Sequence, residues 1–160
     1  MKWKNFIRIL PFSLFLMVMI YSCSGPDKRA PVQETIMDQP DTVLFWTVDD
    51  YNKIKTRVFQ DTIRITDPKL VVNGINSVYP GVRLRLLNVS NDTVYAVIDS
   101  AYTLTERMGS FGAAEYLSTV VINLTTIENI NFVSLEFIPG SHAMPGVYSK
   151  ENYSNYTEKK

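Results

Sequence analysis

Residues 42–48, TVLFWTV, run through β-branched and aromatic side chains without a charged break, a composition that favours a strand. Asp49, Asp50 and Asn52 interrupt the run. Residues 56–66 then alternate, with Phe59, Asp61, Ile63 and Ile65 on one side and Val58, Gln60, Thr62 and Arg64 on the other. That is the period of a half-buried strand. At Asp67-Pro68 the period changes. A capping carboxylate followed by proline starts a helix, and Leu70, Val71, Ile75 and Val78 continue it. Asn73-Gly74 weakens this helix or ends it early, and Pro80-Gly81 ends it in any case.

Residues 82–89 and 93–100 read as two strands joined by the turn residues Ser90, Asn91 and Asp92, hence an antiparallel hairpin. Leu86-Leu87 breaks the alternation and marks a bulge. Downstream, Ala113, Ala114, Leu117, Val120, Val121, Leu124 and Ile127 recur at steps of three and four, one apolar stripe on a helix of about four turns. Glu115, Ser118, Thr119, Asn123 and Thr126 take much of the opposite side. Residues 131–138 form a last strand with Val133, Leu135 and Phe137 on one face, stopped by Pro139-Gly140. The order β-β-α-β-β-α-β predicts an α+β fold, two helices packed on one face of a mixed or antiparallel sheet, over residues 42–140. Residues 141–160 are polar and end in two lysines, and are expected to form a disordered tail. In that tail Tyr148, Tyr153 and Tyr156 stand ready to dock on a partner or on the domain.

The apolar pattern ahead of the domain is of another kind. Residues 1–22 open with Lys2, Lys4 and Arg8, contain no acid, and continue into an apolar run of about a dozen residues, the layout of an export signal and too short to span a bilayer comfortably. The run ends at Ile20-Tyr21-Ser22-Cys23, which resembles a bacterial lipobox, although Tyr21 is bulkier than the usual residue at its place. On that reading cleavage before Cys23 leaves it as the acylated N-terminus, and several acyl chains anchor the chain in a membrane. Cys23 is the only cysteine, so no thiol is left for a disulfide. Residues 23–41 follow as lipidated cysteine and tether, with three prolines and little periodicity from residue 24 on. Fully extended, this tether reaches about 60 Å. By the sorting rule of enteric bacteria, Ser24 directs the protein to the outer membrane rather than the inner.

Charge adds an exclusion. The whole chain is formally neutral, but with residues 1–22 removed 13 basic residues face 16 acidic ones. A weakly acidic domain without a dense basic patch has no electrostatic reason to bind nucleic acid.

Candidate chemistry centres on residues 108–117, MGSFGAAEYL. Glycines that open a helix can cradle a phosphate, but no lysine follows Gly112 and a third glycine is missing. Helix initiation is the better reading. With Gly112 as N-cap, Glu115 falls at the third helical position, where it suits the helix dipole and a capping box; Ser110 is an alternative cap. His142 is the sole histidine and cannot supply a metal set alone. A Ser-His-Asp triad would have to use it, yet no G-x-S-x-G elbow exists. Asp49-Asp50 and Asp99 read as solvated turn residues rather than a glycosidic pair. No catalytic, cofactor-binding or metal-binding residue is expected. Asp-Thr/Ser triplets at Thr42, Thr62, Thr93 and Ser100 match a pattern that some bacteria O-glycosylate.

The ordered series VVNGINSVYPGVRLRLLNVSNDTVYAVIDSAYTL and GSFGAAEYLSTVVINLTTIENINFVSLEFIPG resembles a GerMN domain over about 100 residues. The cues are Gly74 near the end of a helix, the Pro80-Gly81 loop, the hairpin, and a turn with Gly109, Ser110, Gly112 and Glu115 before a long helix. The resemblance implies an exported or lipid-anchored envelope protein, a fold similar to ring-building modules, and a binding or assembly role rather than catalysis. The family's sporulation protein carries two such domains and this chain one, so no ring-forming or sporulation role is transferred. The expectation is therefore a lipid-anchored, non-enzymatic protein on the periplasmic side of the envelope, with a protein partner and palmitate at Cys23. Two other readings stand beside it: a binder of cell-wall glycan or peptide using exposed rings such as Trp46, and an enzyme using carboxylates.

Overall fold

A computed structural model of the chain describes residues 41–59 and 65–159. The export signal, Cys23, the tether up to residue 40 and Thr62 lie outside the described residues.

The fold is α+β. Strands β1 (Trp46–Asp49) and β2 (Ile54–Arg57) are followed by helix α1 (Pro68–Val78), then by β3 (Leu84–Ser90) and β4 (Thr93–Ile98). A π-helical turn (Thr103–Arg107) runs into helix α2 (Gly109–Leu124), and β5 (Phe132–Glu136), β6 (Gly146–Ser149), a 3-10 turn (Lys150–Tyr153) and β7 (Thr157–Glu158) complete it. The strands divide between two sheets, one in the order β1-β2-β7 and the other β3-β4-β5-β6. β4 and β5 are parallel, as a strand-helix-strand crossover requires, and the remaining pairs of the larger sheet are antiparallel.

Local chemistry explains most of the boundaries. Asp67 accepts from the Lys69 N–H at 2.8 Å and Pro68 holds the first helical position. Gly74 does not end α1, which runs on to Val78. A methyl group at Gly74 would overlap the carbonyl of Val43, so glycine is there to let residues 43–44 lie directly against the helix, pinned by Val43 N–H to Leu70 O at 2.9 Å. Residues 43–44 thus lie against α1 ahead of β1, which starts at Trp46, although the Phe45 carbonyl already accepts from the Val58 N–H at 3.0 Å. β2 lies earlier than residues 56–66, because the left-handed Lys53 (φ 52) closes a tight turn from β1; residues 60–64 of the expected strand lie outside the described residues. The hairpin forms as expected, with Asn91 left-handed (φ 56) and a register shift between Leu86 and Asn88.

Two expectations need correction. Residues 141–159 are not a disordered tail. β6 pairs with β5, β7 pairs with β2 in parallel, and Tyr156 is buried. The tail tyrosines dock on the domain: Tyr156 and Tyr153 rings pack 5.9 Å apart and Tyr148 sits against the core. Nor does α2 expose a polar side. Ser118, Thr119 and Asn123 are as buried as the apolar stripe, because α2 packs against β1, α1, β5 and the 3-10 turn together. Ser118 and the C-cap Thr125 are satisfied within the helix, by Glu115 O and Val121 O, whereas Thr119 meets the Tyr79 hydroxyl and Asn123 reaches residues 45 and 46.

Candidate functional site

The residues singled out in the sequence meet where α2 begins. The π-helical turn ends at Met108, and Gly109 takes a left-handed φ of +71 that favours glycine. The helix starts at Gly109, so Glu115 is its seventh residue and cannot close a capping box; no acid stands in the first turn. Ser110 does not cap the helix either. Its hydroxyl lies 3.0 Å from His142 Nδ1. Gly112 leaves room for Met108, whose Cβ would lie 3.1 Å from a side chain there.

His142 arrives on the loop after β5, and that loop is latched to the π-helical turn. His142 N–H donates to Thr105 O at 3.1 Å, and Ser141 donates its N–H and its hydroxyl to the two Glu106 carboxylate oxygens at 3.0 and 2.9 Å. A side chain at Gly140 would strike Thr105 and Glu106. The Ser141 N–H, and then its hydroxyl, hold the Glu106 carboxyl below its ordinary range. A serine touching a histidine beside a carboxylate is the raw material of a nucleophile and base. Here Glu106 is spent on Ser141, and Ser110 stands exposed on the first turn of α2. The arrangement acts as a latch between loop and helix. Sequence reasoning missed it because 32 positions separate Ser110 from His142 and no local pattern announces the contact.

The aspartates fare differently. Asp49 closes its own turn through Asn52 N–H and Nδ2 at 3.0 and 2.8 Å. Asp99 pairs with Arg85 at 3.1 Å on the other sheet. Asp50 is buried, accepts from Lys53 Nζ at 2.9 Å and from the Tyr156 hydroxyl, and so ties the β1-β2 turn to the C-terminal segment. Burial pushes its carboxyl up, but the Tyr156 and Lys53 hydrogen bonds outweigh that and hold it below the ordinary range. Trp46 offers no ring to a glycan: it is 5% exposed, donates to Thr126 Oγ1 at 2.9 Å, and is covered by Lys55 and Arg57.

What the domain does present is a sheet face. The register places Tyr95, Ser134 and Val147 side by side, flanked by the rows Val97-Glu136 and Thr93-Phe132-Ser149. The alternate residues Val94, Ala96, Val133 and Leu135 face the core. Tyr95, Phe132 and Val147 keep 37%, 37% and 65% of their surface exposed. Among the described residues no group of three or more His, Cys, Asp or Glu side chains is placed to hold a metal, and no helix is long and apolar enough to cross a membrane. No protein family, curated protein or solved structure matches the chain.

Proposed function

We propose that this chain is a lipid-anchored, non-enzymatic protein of the bacterial cell envelope, held to the membrane through acyl chains on Cys23, whose domain binds another envelope protein. The observation that carries the binding role is the open face of the four-stranded sheet, where Tyr95, Phe132 and Val147 lie exposed among Thr93, Ser134 and Ser149. Aromatic side chains are enriched at protein interfaces, whose rims are polar and solvent-accessible. The non-enzymatic reading is supported by the way the carboxylates are used, each of Asp49, Asp50, Asp99 and Glu106 being engaged in a structural hydrogen bond or ion pair. The export pattern ending at Cys23 and the GerMN resemblance support the address.

The test is photo-crosslinking in cells from p-benzoylphenylalanine placed at Tyr95 or at Val147. A reproducible adduct with an envelope protein, lost when Cys23→Ala removes the anchor, is expected. Illumination that yields no adduct from either position removes the reading.

A further inference from the structure

A second surface runs along the outer edge of β3. Helix α1 presents Lys69, Val72, Asn73 and Asn76 at helical steps, and these side chains wall a groove of about 460 Å³ whose other wall is residues 83–87. The domain already treats this edge as one to be paired. The Asn76 side chain takes the Leu84 N–H at 2.9 Å and donates to the Leu84 carbonyl at 2.8 Å, so a side-chain amide stands where a neighbouring strand would offer a peptide. Both Leu84 groups therefore point away from β4. Backbone alternation turns the N–H and carbonyl of Leu86 the same way, beyond the reach of Asn76. Leu86 is half-buried and lines the groove together with Val72, and at the bulge that follows Leu87 is 44% exposed. Among the described residues the groove thus combines an apolar floor with a strand edge that no other strand pairs.

Charge decides what fits. From Pro68 to Ser90 there is no aspartate or glutamate, and Lys69, Arg83 and Arg85 are all exposed. Among the described residues Asp99 pairs with Arg85, while Asp67 is engaged with the Lys69 N–H as the cap of α1 and Asp41 reaches Asn73 through its backbone carbonyl. Two copies of this chain pairing β3 to β3 would set these cations against one another, which like charges across a strand pair oppose.

We propose that the groove between α1 and β3 receives an extended acidic segment of a protein partner, which adds to the four-stranded sheet as a further strand beside Leu86. This rests on the reading of the domain as a binding module and names the partner chemistry of one surface. Main-chain hydrogen bonds supply affinity in strand addition, and side chains that alternate supply specificity: one apolar residue enters over Val72 and Leu86, and carboxylates meet Lys69 and Arg83.

The full chain in detergent is titrated with the peptide acetyl-Asp-Val-Glu-Val-Asp-Val-Glu-amide, with its all-lysine counterpart, and with a version carrying proline at the centre, while amide hydrogen exchange is followed. Expected are slowed exchange at Leu86, binding of the acidic peptide at least tenfold tighter than the lysine version, no protection by the proline version, and a loss of at least tenfold in Lys69→Glu with Arg83→Glu. Equal binding of acidic and basic peptides, or exchange at Leu86 that the acidic peptide leaves unchanged, overturns the proposal. So does protection already present in the free chain and released by Glu34→Gln with Asp38→Asn, since the groove would then be filled by the protein's own segment. A chain that fails here yet crosslinks through Tyr95 or Val147 loses the groove and keeps the binding role.

Discussion

Asn123 is the residue on which the packing of α2 turns. Its Oδ1 accepts from the Phe45 and Trp46 N–H groups at 2.8 and 2.9 Å, and its Nδ2 donates to the Trp46 and Thr119 carbonyls at 3.0 and 2.9 Å. All four bonds of a fully buried amide are made, and three of them close the edge of β1. Asn123→Leu leaves three main-chain groups buried and unpaired, each costing about 1–3 kcal/mol; a loss of about 4 kcal/mol is expected in urea unfolding. Tyr116 is the opposite case. It is fully buried, stacks edge-on against Tyr79 at 5.1 Å, and its hydroxyl has no hydrogen-bond partner among the described residues. Removing an unpaired buried hydroxyl removes a cost, so Tyr116→Phe is expected to leave stability unchanged or raise it by about 1 kcal/mol. A clear loss in that variant would mean that the hydroxyl is bound after all. Neither role was legible in the sequence. Asn123 falls on what reads as the polar side of α2, and nothing in a single helix reveals that a strand will cover that side.

At the scale of elements, the C-terminal segment is the piece whose attachment can be followed with pH. Asp50 holds it through the Tyr156 hydroxyl, and Lys53 bridges both at 2.9 and 3.2 Å. Because the folded Asp50 carboxyl lies below its unfolded value, its contribution is present above about pH 4 and is lost as pH falls through the folded value. Wild-type protein is expected to lose more stability between pH 6 and pH 3 than Asp50→Asn, with the two curves converging at the acid end. Parallel curves would show that the contact does not hold the segment. α1, the β3-β4 hairpin with its bulge, α2 and β5 were all legible, because capping chemistry, turn residues and period are local signals. β6 and β7 were not. Gly146–Ser149 is four residues long with its first two exposed, Thr157–Glu158 is two exposed polar residues, and neither carries a periodic signal of its own; they are strands because β5 and β2 offer them an edge.

Over the whole molecule, the α+β class followed from the order of elements, whereas the division into two sheets did not. It depends on Gly74 admitting residues 43–44 against α1 and on the last residues returning to β2, two long-range contacts without a periodic signature. On the proposed function the chain is held to a membrane through one residue, the acylated Cys23, and the partner proposed for the envelope presumes that address. Metabolic labelling with an alkyne analogue of palmitate, followed by detergent phase separation, tests it most directly. Wild-type chain is expected to carry the label and enter the detergent phase, and Cys23→Ala to stay unlabelled with its leader uncleaved. Unlabelled wild-type protein in the aqueous phase, leader intact, would contradict the account.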